Sequence, residues 1–169
     1  FENVRGLLTH DHGKTYSTML HIFENAGYSI NKQVLNAWDY GAPQKRERLI
    51  TIGIRNDLVK NATFSFPKPH EYKPVLRDVL LDCPDGPGVL YGEKKRKIFE
   101  LVPPGGYWRD IDPEVAKEYM KSCWDMEGGR TGILRRMSLD EPSLTVLTSP
   151  SQKQTERCHP MEARPFTVR

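Results

Sequence analysis

Two short segments hold residue types that could do acid–base or charge-stabilising chemistry. The first is Glu2-Asn3-Val4, at the end of a presumed strand. A carboxyl group there sits where α/β sheets build their sites, and it can give or take a proton. Taken alone, it reads more readily as a solvated strand-end glutamate. The second is Leu35-Asn36-Ala37-Trp38-Asp39-Tyr40-Gly41-Ala42-Pro43-Gln44-Lys45-Arg46-Glu47-Arg48, which runs straight into an apolar stretch. Of its two arginines, one can reach into a site while the other pairs with a phosphate or a carboxylate. Taken alone, this reads more readily as a charged loop closed by an ion pair of Glu47.

These residues need a frame. Tyr16, Met19, Leu20, Ile22, Phe23 and Ala26 recur at helical spacing and predict a helix over 14–26, which Gly27 can stop. Residues 28–35 and 49–54 read as strands, the second a β-branched run with little charge, as in a sheet covered on both faces. Strand, helix, strand, loop, strand is an α/β signature. After Asn56 the texture changes. Pro67, Pro69, Pro74, Pro84, Pro87, Pro103 and Pro104 interrupt any long element, so residues 68–156 form a separate, irregular domain, expected to be mainly β. Two helices fit inside it, over 93–102 and 112–124, the latter with Asp112 as N-cap and Pro113 at the first helical position. Residues 144–147 make a short strand candidate.

Composition narrows the partners only loosely. There are 25 basic and 22 acidic residues among 169, a formal charge of +3. That permits an acidic partner without naming one, because binding follows where charge is clustered. The hydrophobic fraction is 37%, with 13 Gly and 13 Pro, which predicts a loop-rich fold with a modest core. Cys83, Cys123 and Cys158 have no paired spacing, so a disulfide framework and a zinc site are both disfavoured and a reducing compartment is implied. His10, His12, His21, His70 and His159 share no metal-ligand spacing, and no metal is assigned. No apolar run has membrane-span length, which makes a cytoplasmic location the expectation; the compactness of residues 68–156 suggests a bacterial source. The start on Phe1 and the stop at Arg169 suggest an excerpt of a longer chain.

Together the two segments resemble the DNA cytosine-5 methyltransferase family. The resemblance lies in Glu2-Asn3-Val4, the helix after it, and Asn36-Ala37-x-Asp39-Tyr40-Gly41-x-Pro43-Gln44-x-Arg46-x-Arg48 before a buried strand. It continues at Arg157-Cys158-His159-Pro160 and Arg164-Pro165-Phe166-Thr167-Val168-Arg169, which look like the start of the motif that follows the family's target recognition domain. The resemblance implies the distal part of a doubly wound, mostly parallel sheet, and methyl transfer from S-adenosylmethionine to carbon 5 of a cytosine flipped out of duplex DNA. Glu2 matches the glutamate that engages ring N3, a role that asks for burial. Arg48 matches the arginine that contacts the cytosine O2, and Arg46 the one that supports the active-site loop and DNA backbone. Asn3, Asn36 and Gln44 match framework positions. The departures are equally specific. The family nucleophile lies in a Pro-Cys segment, and no cysteine here follows a proline. A Gly-rich cofactor loop is also missing, so the chain alone should neither hold the cofactor well nor methylate.

In that family the insert between these motifs reads the DNA sequence. Gly128-Gly129-Arg130-Thr131-Gly132 offers a turn with one long donor, and arginine can bind guanine O6 and N7 together. From the glycines alone it is as readily a solvent turn. Arg135 and Arg136 are expected phosphate contacts. Thr145-Val146 matches a family threonine directed at a phosphate, and Thr148, Ser149, Gln152 and Lys153 can serve phosphates and base edges. The run Lys94-Lys95-Arg96-Lys97 is expected to be a solvated helix face. The expected domains are therefore 1–67, the distal catalytic part, 68–156, the recognition domain, and 157–169, a return segment. The parent would be a restriction–modification methyltransferase. A DNA-binding or specificity subunit, complemented by a partner that carries the missing half, is the alternative.

Overall fold

A computed structural model of the chain describes residues 1–59, 64–82, 86–148 and 152–167. It divides into two compact units, Phe1–Lys73 and Pro74–Arg169.

The first unit is an α/β layer. Its elements are β1 (Glu2–Asn3), α1 (Lys14–Asn25), β2 (Tyr28–Asn36), the two-residue β3 (Gln44–Lys45) and β4 (Glu47–Arg55). The three-stranded sheet has the order β1-β4-β2, with β4 antiparallel to both neighbours. β1 and β2 therefore run parallel, joined by the crossover helix α1, and β4 is inserted between them. The expected parallel sheet is corrected for β4. Its link from β2 is only residues 37–46, too short and too tight for the helical crossover that a parallel neighbour requires. Gly41, at φ +91°, reverses the chain there, and a Cβ at that position would stand 3.3 Å from His70 Nδ1.

Alternation along β4 places Leu49 and Thr51 on one face, 1% and 3% exposed, under α1. Tyr16 of α1 is buried there, and its hydroxyl lies 2.8 Å from Thr51 Oγ1. Ile50, Ile52 and Ile54 occupy the other face and are only half-buried. The expected cover on both faces is thus met on one face among the described residues.

The second unit is irregular, as the prolines predict, but it is not mainly β. Its described residues hold α2 (Arg77–Leu80), α3 (Glu93–Leu101), α4 (Pro113–Met120) and one two-residue strand, β5 (Ser143–Leu144). Proline lacks the N–H that a ladder needs, and the described residues of this unit pair with one another through the bridges Arg136 with Cys158 and Cys158 with Pro165. The core gathers Tyr91, Phe99, Val102, Trp108, Ala116, Met120, Ile133, Leu134 and Cys158 from helices and loops alike. Asp112 caps α4 by accepting from Glu114 N at 2.9 Å. α4 stops at Met120, short of the expected 124, because Lys121 turns to φ +53°. The solvated-face reading of residues 94–97 also needs correction at one residue. Lys95 is 20% exposed and its ammonium pairs at 2.6 Å with the fully buried Glu156.

Candidate functional site

In the first unit the strand register brings the expected pair together. Glu2 is the register partner of Ile50, and Arg48 lies two residues before Ile50, so both side chains rise from the same face. Arg48 Nε donates to Glu2 Oε1 at 2.6 Å, and Arg48 Nη1 donates to Glu47 O at 2.7 Å. The Glu2 side chain is 52% exposed and that of Arg48 21%. The burial expected for Glu2 is therefore not provided by this unit. An ion pair this open contributes about 0–1 kcal/mol, so an incoming polar ligand can divide it at little cost.

The loop before β4 is fixed by side chain and backbone. Asn36 Oδ1 accepts from Arg46 N at 3.0 Å and from Trp38 N at 3.3 Å. Ala37 N also donates to Arg46 O at 3.0 Å. Arg46 is thus held through its main chain, next to the residue that starts β4. Gln44 N donates to Ala42 O at 2.7 Å across Pro43, and Gln44 is half-buried. Asn3 Oδ1 accepts from Val4 N at 2.8 Å, which trims the end of β1. Glu47 pairs at 3.1 Å with Arg5, so it leaves Arg48 to Glu2. A mostly apolar cleft of about 300 Å³, lined by Phe1, Phe23, Tyr28, Ile30, Thr51 and Gly53, opens on the α1 side, away from the Glu2–Arg48 pair.

The second unit treats its expected DNA contacts unequally. Arg130 is half-buried. Its guanidinium lies 5.4 Å from the centre of the Trp108 ring, and its Nη1 donates to Trp124 O at 2.5 Å. Trp108 Nε1 donates back to Arg130 O at 3.1 Å. Arg135 is half-buried and lies 5.3 Å from the centre of the Tyr107 ring. Arg136 points inward. It donates to Pro160 O at 3.1 Å, Phe99 O at 3.2 Å and Val102 O at 2.9 Å, so the donors expected to meet phosphate are taken up by three carbonyls of the fold. Lys153 is turned inward in the same way. Its ammonium donates to Tyr119 O at 2.7 Å and Met120 O at 2.9 Å, closing the carboxyl end of α4. Thr148 and Gln152 are exposed and Thr145 is half-buried, while Ser149 lies outside the described residues.

No group of three metal-ligating side chains occurs among the described residues, and no described helix is long and apolar enough to cross a membrane. Cys158 is no nucleophile here, since burial pushes its thiol up to about 12. The residues sequence reasoning missed are Trp108, Trp124 and Glu156. The two tryptophans carried no motif, and a buried acid reached from a loop leaves no periodic trace.

A family model described as C-5 cytosine-specific DNA methylase matches residues 1–169. The chain is 54% identical over 170 residues to the Type II methyltransferase M.Sau96I of Staphylococcus aureus, covering 99% of the chain and 40% of that protein. It is 47% identical over 176 residues to the Type II methyltransferase M.Eco47II of Escherichia coli, covering 99% of the chain and 42% of that protein. The chain thus spans about two-fifths of the length of these curated relatives. A crystal structure of a putative DNA modification methyltransferase encoded within an Escherichia coli prophage shares the fold, with a TM-score of 0.53 and 17% identity over 98% of this chain and 54% of that one. The chain belongs to the C-5 cytosine-specific DNA methylase family.

Proposed function

We propose that the protein carrying this chain transfers a methyl group from S-adenosylmethionine to carbon 5 of a cytosine turned out of a specific duplex site. The observation that carries the proposal is the Glu2–Arg48 pair, an acid and a cation 2.6 Å apart on one sheet face and open to solvent. The edge of cytosine sets two acceptors, N3 and O2, side by side. Arg48 donates to O2 and fixes the base, while Glu2 hydrogen-bonds or protonates N3. Protonation at N3 draws electron density from the ring and leaves carbon 6 open to a thiolate. Asn36 holds the Arg46 main chain and so fixes where β4 begins; Asn3 and Gln44 shape the adjoining turns.

S-adenosylmethionine supplies the methyl group in this reaction. Among the described residues no glycine-rich turn closes a strand of the sheet, so this chain does not by itself fit the cofactor, whose binding is assigned to other residues of the protein. The chain also has no Pro-Cys segment, and alone it should transfer no methyl group. Residues 68–156 are assigned to recognition of duplex DNA, with Arg130 as base reader and Arg135, Thr145, Thr148, Ser149 and Gln152 as backbone or edge contacts. Arg136 and Lys153 are left out because three and two carbonyls, respectively, take up their donors, whereas Arg130 gives a donor to one. A Type II restriction–modification setting follows from the names of the relatives.

Glu2→Gln and Arg48→Ala in the full-length protein test the proposal. Each should slow single-turnover methylation by about 100-fold or more while DNA affinity changes far less. Unchanged turnover with weakened DNA binding in Glu2→Gln removes the carboxyl group from the chemistry.

A further inference from the structure

Among the described residues Glu156 is the one acid of the second unit that is completely buried, and the proposed chemistry does not use it. Its two carboxylate oxygens divide their partners. Oε1 accepts from the Tyr119 hydroxyl at 2.7 Å and pairs with Lys95 at 2.6 Å. Oε2 accepts from the backbone N–H of Leu134 at 2.5 Å. The Glu156 main chain grips the same turn, since its N–H donates to Gly132 O at 3.1 Å.

That turn is the one that presents Arg130. Leu134 sits at φ +51°, a conformation costly for leucine, and Gly132 tolerates no side chain because a Cβ would meet Gln154 O at 2.1 Å. Ile133 N closes the turn on Arg130 O at 3.1 Å, the same carbonyl that Trp108 Nε1 holds. The chain from 130 to 134 is therefore anchored at one end by an indole and at the other by a buried carboxylate. Burial and the Glu156 charge both push the Tyr119 phenol up, which keeps it a donor to that carboxylate.

We infer that Glu156, with Lys95 behind it, is a positioning residue for sequence readout, fixing the 130–134 turn so that Arg130 meets a single base pair. This rests on the proposed reading of Arg130 as the base reader. Glu156 touches no DNA itself and acts through the Leu134 amide.

The test uses the full-length protein and two measurements. The first is hydrogen exchange of the Leu134 amide and the Trp108 indole without DNA. The second is the ratio of affinities for cognate and single-mismatch duplexes. Glu156→Gln leaves one acceptor oxygen where three donors converge, so both protons should exchange faster and the ratio should fall about tenfold, with mismatch affinity unchanged. Tyr119→Phe is the control. It loosens the same pocket but keeps the bond to Leu134, so it should lower the melting temperature without moving the ratio. If Glu156→Gln does not fold, Glu156→Asp keeps the charge, withdraws the oxygens by one methylene and carries the same expectation. Unchanged Leu134 exchange, an unchanged ratio, or equal weakening of cognate and mismatch binding each overturns the inference. Arg130→Ala, run alongside, judges the underlying reading separately. If it leaves the ratio intact while Glu156→Gln lowers it, the turn reads sequence through another residue and only the role of Arg130 is lost. If Arg130→Ala abolishes the ratio and Glu156→Gln does not, only the inference about Glu156 falls.

Discussion

The two units solve opposite problems with the same residue types. In the first, an arginine and a glutamate stand on strands whose register alone sets them on one face, and their charges stay half open. In the second, the basic residues that arise from turns, Arg130, Arg136 and Lys153 among them, are turned back onto carbonyls and aromatic rings. The difference follows from backbone satisfaction. A sheet pairs its own N–H and C=O groups and leaves side chains free to face a ligand. An irregular unit has orphan carbonyls to cover, and long cationic side chains are the donors at hand. A basic residue in a loop-rich unit is therefore a weaker sign of an anion contact than the same residue on a strand.

Arg130 puts the most strain on this contrast, because it is both tethered and proposed as a reader. Arg130→Ala should cut discrimination against a single mismatched base pair by about 1–3 kcal/mol, measured as a ratio of dissociation constants at fixed salt. Arg136→Ala should instead lower the melting temperature and leave the ratio as it was. If Arg136→Ala changes the ratio and Arg130→Ala only the melting temperature, the inward and outward roles are exchanged and the contrast breaks.

Legibility in the sequence followed the same divide. Helix α1 and strands β2 and β4 were readable because apolar period follows backbone geometry; that Glu2 and Arg48 share a sheet face was not, since it depends on how β1 pairs with β4. The direction of β4 was not, since an apolar run carries no sign of which neighbour it will pair with. In the second unit, α3 and α4 were visible from their apolar spacing and the Asp112 cap. The partners of Arg136, Lys95 and Lys153 were not, because the carbonyls and the acid they meet lie 24 or more residues away for Arg136, and 34 for Lys153 at Tyr119. Such contacts depend on where loops close, and spacing along the chain does not encode that.

Lys153 sharpens the comparison with a smaller effect. As a phosphate contact, its loss would reduce the salt dependence of DNA affinity by about one phosphate. As the cation closing α4, its loss should cost about 0.3–1 kcal/mol of stability and leave the salt slope alone. Lys153→Ala, followed by urea unfolding and by DNA titration at several salt concentrations, separates the two. A changed slope with unchanged stability would return Lys153 to the DNA surface.

The smallest effect concerns pH and asks whether the polar interior of the second unit makes it the weaker of the two. His159 is buried, and its Nδ1 accepts from Met161 N at 3.3 Å, an arrangement that needs the neutral ring. Burial first, then the nearby Arg164, holds its pKa below the ordinary 6.5; Arg136 adds to this, and Glu162 opposes it. In the unfolded chain His159 takes up its proton near that ordinary value, but in the folded chain it resists. Its contribution to stability is therefore complete above about pH 6.5 and is lost as pH falls through the lower folded value. Glu162, held by Arg164 below its usual 4.5, keeps its charge through that window. Going from pH 7 to pH 5 should lower the melting temperature by about 2–4 °C, and His159→Gln should flatten the fall. Hydrogen exchange should show the loosening in Pro74–Arg169, because the buried pair of the first unit, Tyr16 with Thr51, is a neutral contact of two hydroxyls. Loosening that begins in Phe1–Lys73, or a pH dependence that His159→Gln leaves intact, removes His159 as the acid-sensitive point.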